Sequence, residues 1–479
     1  MKKYILFLLI FFLLTVKIYS QTIPSDSGYI PFVGNRTVVF TDSSRSNRNI
    51  SSLVYYPAVS EGLNAPMLTG NKYPLISFGH GFTLNPNLYV SIYRHLASWG
   101  YIVIAPSTET GFSPGHLNFA KDLVFVLKDM KRKGITPGDV FYNVTDSGNT
   151  GVFGHSMGGG CSFLAGSLDP TIDAVSSLAA ANTNPSSISA ASLIKCPVQL
   201  LSGQRDSIAS YWTNQLPHYN NTFPFKQILN LKGGNHSQFH AIAGLDDLVD
   251  NAAFITRSEQ QRLTRRYVTS FFNLFLKNDT GYKSYLYGSI AKNDTSVIMQ
   301  FANFQLKALI QGFYNSGINT MITDTVSLFL RNTTSPYSVI DSSGSVLNNT
   351  GYGIFSFDKA VNGRSYYLQF DHRNSIETWS RSGGEIFSLR GTSYNFTDSS
   401  EKAYGSNQIL KGQKYCIYNG DVNSDGIIDA EDLSLTDNDG INGETGYIPT
   451  DINGDGIIDA EDLSMLDNNI VISVSAVLP

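Results

Sequence analysis

The pentapeptide Gly154-His155-Ser156-Met157-Gly158 follows the apolar run Gly151-Val152-Phe153 and continues into Gly159 and Gly160. A strand that turns sharply into a helix needs residues without side chains on either side of the turning residue. The strained turn then lifts one hydroxyl above the sheet edge. Ser156 is the candidate nucleophile. Taken alone the pattern is weakly specific, so a base, an acid and two oxyanion donors must come from elsewhere in the chain.

A serine hydroxyl is too weak an acid to be nucleophilic at neutral pH, so an imidazole must take its proton and later pass it to the leaving group. On a mostly parallel sheet the chain order is nucleophile, acid, histidine. The apolar run Val198–Leu201 leads into Ser202-Gly203-Gln204-Arg205-Asp206, and Gln227–Leu231 leads into Lys232-Gly233-Gly234-Asn235-His236. Asp206 and His236 therefore fall just past the ends of two strands and should meet Ser156 at one sheet edge. A capping or turn role is the plainer reading of each taken singly, and His240 is a second candidate base. The developing oxyanion needs two backbone donors. One is the amide of Met157, after the nucleophile. The other is the amide of Phe82, in the loop Gly79-His80-Gly81-Phe82. The side chains of Phe82 and Met157 would also wall the acyl pocket, while His80 and His155 brace these loops.

The elements that must hold these residues are short apolar runs alternating with helical patterns between about residues 35 and 300. That alternation predicts α/β architecture with a doubly wound, mostly parallel sheet. Expected strands are Arg36–Phe40, Ser52–Tyr56, Leu75–Phe78, Tyr101–Ala105, Gly151–Phe153, Ala174–Leu178, Val198–Leu201 and Gln227–Leu231. Leu263, Tyr267, Phe271, Leu274 and Phe275 share one helix face, with Arg262, Arg265 and Arg266 expected in water. From residue 303 to 415 the pattern becomes short alternating strands, as in Thr325–Leu330, Tyr352–Phe357 and Tyr366–Phe370. These suggest a small β-sandwich without a cluster of titratable groups, in which His372 and Trp379 are structural.

His80-Gly81-Phe82, Leu96-Ala97-Ser98-Trp99-Gly100-Tyr101-Ile102-Val103, Gly154–Gly160 and Asp206-Ser207-Ile208-Ala209 together resemble one group of α/β-hydrolases. That group contains cutinase-like polyester hydrolases, platelet-activating-factor acetylhydrolases and dienelactone-hydrolase-like proteins. Thr41–Arg45 leading to Tyr55–Ala58 also resembles its entry strands. The resemblance covers roughly residues 30 to 290 and implies carboxylic-ester hydrolysis through an acyl-enzyme, with no cofactor for catalysis. Cutinase-like polyesterases carry a tryptophan where this chain has Ala181-Asn182-Thr183-Asn184-Pro185, and dienelactone hydrolases proper use a cysteine where Ser156 stands. The short spacings from Ser156 to Asp206 and from Asp206 to His236 leave no room for a helical cap. An open site suited to bulky or polymeric esters is expected.

The C-terminal region is a repeat: Asp421-Val422-Asn423-Ser424-Asp425-Gly426-Ile427 with Asp432 recurs as Asp451-Ile452-Asn453-Gly454-Asp455-Gly456-Ile457 with Asp462. Side-chain oxygens at loop positions 1, 3, 5 and 12, a glycine at 6 and a backbone carbonyl at 7 suit a hard cation of flexible coordination, and so Ca2+. The pair resembles a type I dockerin, which implies a short helical calcium-binding module and a cohesin-like partner. It departs from that pattern in its long spacing and in Ser434–Asp437 and Ser464–Asp467, where dockerins often carry basic residues.

The net charge of −5 hides a segregation: from Cys416 onward there are 14 acidic residues and no Lys or Arg, leaving 34 basic against 25 acidic before it. No nucleic-acid partner is expected. Met1-Lys2-Lys3 followed by an apolar run from Tyr4 to Val16 reads as an export signal, and no later run is long enough to cross a bilayer. Cys161, Cys196 and Cys416 are odd in number and read as free thiols. The expected organisation is a signal peptide (1–20), an α/β-hydrolase catalytic domain (21–302), a β-sandwich (303–415) and a dockerin-like calcium-binding domain (416–479), in a secreted or cell-surface protein. An acyl-carbohydrate esterase and a non-catalytic surface scaffold are the alternatives.

Overall fold

The apolar runs of the first 300 residues pair into one ten-stranded mixed sheet in a computed structural model that describes residues 23–479. The expected export signal lies outside the described residues. In chain order the strands are β1 (Val33–Asp42), β2 (Arg48–Pro57), β3 (Gly62–Leu63), β4 (Tyr73–Gly79), β5 (Ile102–Pro106), β6 (Thr145–His155), β7 (Ala174–Leu178), β8 (Val198–Gly203), β9 (Lys226–Leu231) and β10 (Val297–Ala302). Their spatial order is β10-β9-β8-β7-β6-β4-β5-β2-β1-β3. The run from β9 to β5 is parallel throughout, and antiparallel pairings flank it at β10–β9 and β5–β2. This arrangement fits an α/β-hydrolase.

The parallel strands are apolar on both faces because helices cover both. Along β5, Ile102 and Ile104 enter one buried cluster while Val103 and Ala105 enter the other, as a two-residue period requires. Helices His116–Ile135 and Met157–Leu168 supply Phe119, Leu123 and Phe163 to the first face. Helix Arg257–Leu276 supplies Tyr267, Phe271 and Phe272 to the second. The arginines of that last helix differ from expectation. They are half-buried, because residues 25–31 and 280–294 cover its outer side: Arg265 donates to the Ser25 carbonyl (3.1 Å) and Arg266 pairs with Asp294 (2.6 Å).

Residues 304–416 form a three-stranded sheet through Phe304–Lys307 and a five-stranded sheet through Asp324–Arg331 and Ser365–His372. This region is bonded to the main sheet's domain. Arg390 donates to the carbonyls of Asp173 (3.2 Å) and Phe275 (2.6 Å), and Lys292 pairs with Asp358 (2.6 Å). Unlike the sequence reading, the region does contain a cluster of titratable groups: Asp324 accepts from His372 (3.1 Å), Arg373 (3.1 Å) and Tyr447 (2.5 Å). Periodicity could not reveal it, since Asp324 and His372 lie on different strands. Trp379 packs on Tyr337 and Tyr367 beneath the Arg331 guanidinium.

The acidic repeat folds as two loops, each leading into a helix: Ala430–Asn442 and Ala460–Val471. Its inner face is fused to the preceding sheets. Asn469 exchanges hydrogen bonds with Gln311 (2.9 and 3.2 Å), Asn374 donates to the Asp451 carbonyl (2.8 Å), and Ile417, Ile452 and Leu466 join the same apolar cluster as Phe370. Cys161, Cys196 and Cys416 are free. Among the described residues no helix is long and apolar enough to cross a membrane.

Candidate active site

Strand β6 ends at His155 and helix Met157–Leu168 begins one residue after Ser156, so Ser156 is the whole turn. Its backbone sits at φ 55°, ψ −118°, a conformation that a side chain makes costly and that persists only where the surroundings enforce it. The glycines do the enforcing. A Cβ on Gly158 would lie 2.1 Å from the Gly79 carbonyl, and one on Gly154 would lie 2.4 Å from the Gly158 oxygen. The Ser156 amide donates to the Leu178 carbonyl and its own carbonyl accepts from Ala181, both at 2.9 Å, which pins the turn to the end of β7.

The loops after β8 and β9 carry Asp206 and His236 to the same edge. Gly203 permits their contact, since a Cβ there would meet the Asn235 backbone at 2.7 Å. His236 Nδ1 lies 2.9 Å from Asp206 Oδ2, both side chains being buried. The other carboxylate oxygen, Oδ1, accepts from the amides of Ile208 (2.9 Å) and Ala209 (2.7 Å). A carboxylate that can only accept fixes the proton on Nδ1, which leaves Nε2 as the free basic position of the ring. Ser156, 7% exposed, and His236 line one cavity of about 440 Å³. Phe82, Leu84, Leu88, Ile208, Leu245 and Val249 make it chiefly apolar.

The loop after β4 brings Phe82 to the cavity, where it is 46% exposed and its ring meets Phe112 edge-on at 6.4 Å. The Met157 side chain does not wall the cavity: it is buried in the apolar cluster under the sheet. His155 braces the assembly. Its Nδ1 is 2.7 Å from the Tyr89 hydroxyl, which accepts from the Gly81 amide, and its Nε2 is 3.1 Å from the His236 carbonyl. Burial pulls the His155 pKa down, as do the neighbouring His236 and His240. His80 lies between the carbonyls of Gly81 and Thr108, each 2.8 Å away.

His240, the second candidate base, is directed elsewhere: its Nε2 pairs with Asp246 (2.9 Å) and its Nδ1 contacts the Ile242 carbonyl. His240, Asp246 and Asp247 lie close enough to share a cation. Asp247, however, already pairs with Arg257, so the group is satisfied internally. Sequence reasoning missed Tyr89, the cavity wall at residues 244–249 and Asp250, whose carboxylate accepts from the amides of both His236 and Ser207. It also missed Trp212, 74% exposed on the turn after the acid loop and tied to the Ala181–Pro185 loop through Asn214.

In the repeat, Asp421, Asp432, Asp451 and Asp462 are buried. Asp432 Oδ1 accepts from the amides of Val422 (2.9 Å) and Asn423 (3.3 Å), and Asp462 Oδ1 repeats this with Ile452 (2.8 Å) and Asn453 (3.0 Å). Asn423 and Asp425, with Asn453 and Asp455, hold the loop bends through amides two residues on. Gly426 (φ 87°) and Gly456 (φ 86°) occupy the left-handed region at position 6, ahead of Ile427 and Ile457. Burial, then the charge of Asp432, raises the Asp421 pKa to about 6; burial also raises Asp432 and Asp462. Arg373 offers Asp451 a cation at 3.4 Å, but among the described residues no ion pair reaches Asp421, Asp432 or Asp462. Buried, mutually repelling carboxylates without a cation fit a metal-binding donor set.

Residues 52–303 match the family model described as PET hydrolase-like, which is more than half of the chain. Among curated proteins the chain is similar to chlorophyllase-1 of Arabidopsis thaliana, 32% identical over 23% of this chain and 35% of that protein. It is also similar to cutinase 2 of Thermobifida cellulosilytica (23% identical, 49% of this chain and 76% of that one) and cutinase est2 of Thermobifida alba (28%, 38% and 56%). The chain thus spans about a third of the chlorophyllase and about half of the T. alba cutinase. With its ten-stranded sheet, its serine turn after β6 and this match over residues 52–303, the chain belongs to the PET hydrolase-like family of α/β-hydrolases.

Proposed function

We propose that this protein is a secreted serine carboxylic-ester hydrolase acting through Ser156, His236 and Asp206, on bulky or polymeric esters with an apolar acyl portion. The observation that carries the reading is the 2.9 Å contact between His236 Nδ1 and Asp206 in the cavity that also holds Ser156 on its strained turn. His236 Nε2 takes the Ser156 proton as Oγ adds to the ester carbonyl. The amides of Phe82 and Met157 donate to the resulting oxyanion. The imidazolium, favoured by Asp206, then protonates the departing alkoxide and leaves an acyl-Ser156. Water, deprotonated by the same imidazole, adds to the acyl carbon; the bond to Ser156 Oγ then breaks, releasing the carboxylic acid as the imidazolium returns its proton to Oγ. A cavity walled by Phe82, Leu84, Leu88 and Val249, with the exposed Phe112 ring against Phe82, favours an apolar acyl or aryl group over an acylated sugar. The cutinases it resembles support the same substrate class.

In this reading residues 303–415 are a β-sandwich spacer. The tail is a dockerin-like module in which Asp421, Asn423, Asp425, Ile427 and Asp432, with Asp451, Asn453, Asp455, Ile457 and Asp462, hold Ca2+ and present a surface to a cohesin-like partner. When bound, the ion neutralises carboxylates that otherwise repel; it has no part in the chemistry at Ser156.

The test is a fluorophosphonate probe followed by a substrate series of chromogenic esters, a polyester film and an acetylated glycan. Covalent labelling at Ser156 that Ser156→Ala abolishes, with film and long-chain esters cleaved and glycan untouched, is expected. Folded protein that takes no label is a scaffold, and preferential release of acetate from the glycan reassigns the substrate.

A further inference from the structure

We propose that Asp250 is a positioning residue for the triad, a carboxylate staple that holds the acid loop and the histidine loop in register. The inference rests on the triad reading above. Asp250 Oδ2 accepts from the amides of His236 (2.7 Å) and Ser237 (3.0 Å). Its Oδ1 accepts from the amide and the hydroxyl of Ser207, both at 3.1 Å, and from the amide of Asn251 (2.9 Å). One oxygen thus grips the residue bearing the imidazole and the other grips the residue after Asp206.

No lysine or arginine pairs with Asp250 among the described residues, so its charge is carried by hydrogen-bond donors of these loops. The chain around it is tied into the same loops: Asn235 donates to the Asn251 carbonyl (2.8 Å), Arg205 to that of Ala252 (3.2 Å), and the Phe254 amide to that of Gly233 (2.7 Å). Two loops from neighbouring strands have no covalent tie at this edge, and the distance between Asp206 and His236 depends on both. A carboxylate suits the position because it can accept from both loops at once, whereas a neutral amide accepts on one side and sets its own donors against donors on the other.

The experiment compares the full chain with Asp250→Asn, which keeps the volume and avoids a cavity, and with Asp250→Ala. Measured are fluorophosphonate labelling of Ser156, kcat and KM on a soluble chromogenic ester, and thermal unfolding. Asp250→Asn is expected to lower kcat by roughly 10- to 100-fold, as a displacement of the base by a fraction of an ångström does. KM should stay within about twofold of the native value, because substrate contacts are unchanged. An unmoved kcat in folded Asp250→Asn, or a KM that rises as far as kcat falls, overturns the proposal, as does a loss of activity that merely follows a fall in Tm. If the native chain is not labelled at Ser156, the triad and the staple fall together. If it is labelled and Asp250→Asn behaves as native, the staple alone falls.

Discussion

Replacing Gly158 by alanine adds one methyl group where the serine turn abuts the end of β4. The new carbon would lie 2.1 Å from both the carbonyl carbon and the oxygen of Gly79, and 2.6 Å from the oxygen of His80, where ordinary contact begins near 3.4 Å. All three atoms are backbone, so no side chain can swing away. The helix start must retreat from the end of β4 by more than an ångström. Overpacking of this kind costs about 1–3 kcal/mol, and the rigidity of both partners puts this case at the upper end. At about 2–4 °C per kcal/mol for a domain of this size, Tm should fall by roughly 6–12 °C. The same displacement separates the Met157 amide from the Phe82 loop, and a misplacement near 1 Å costs on the order of 100-fold in rate. Scanning calorimetry and turnover of a soluble ester check this beside Gly148→Ala, where the nearest atom is the far end of Asp146 at 3.5 Å. A Gly158→Ala protein with native Tm and native turnover would falsify the account of the elbow as a steric lock.

Chelation with EDTA should lower the stability of residues 416–479 and raise hydrogen exchange there and along the Arg373–Ser375 seam. Initial rates on a soluble ester should hold, because among the described residues none of the repeat lines the cavity; equal loss of both would contradict that separation. Acid should destabilise the fold through its buried histidines, while Asp421, raised to about 6, offsets part of that loss. Burial pulls His95 down to about 3 and His218 to about 4, so the unfolded chain binds protons that the native chain refuses. The stability these groups contribute is present above their unfolded value near 6.5 and is lost as pH falls below it. His95 alone accounts for about 1.4 kcal/mol per pH unit. Urea midpoints measured from pH 7.5 to 4.5 should decline through this range, and a flat profile would rule the argument out.

The serine turn is legible in the sequence because steric demand writes itself as glycine: Gly154 and Gly158 have no alternative beside the Gly79 carbonyl. Asp206 and His236 are legible because each stands just past an apolar run, and a parallel sheet delivers such positions to one edge. Strand β10 was not expected, since Val297–Ala302 is short and shows only partial alternation, and its pairing with β9 is decided by tertiary contact. Asp250 is illegible for a different reason. It is one of several acidic residues in an irregular segment with Asp246 and Asp247, and only the fold assigns each a different partner: His240, Arg257, and the amides of two loops. The Met157 side chain illustrates the same limit, since sequence places its amide but not the direction of its chain.

The seams at Arg390, Lys292 and Arg373 leave no slack between the hydrolase, the intervening sheets and the acidic repeat. A molecule built this way behaves as a bracket and not as a leash. An anchor placed at the far end would therefore also set the bearing and stand-off of the cavity mouth.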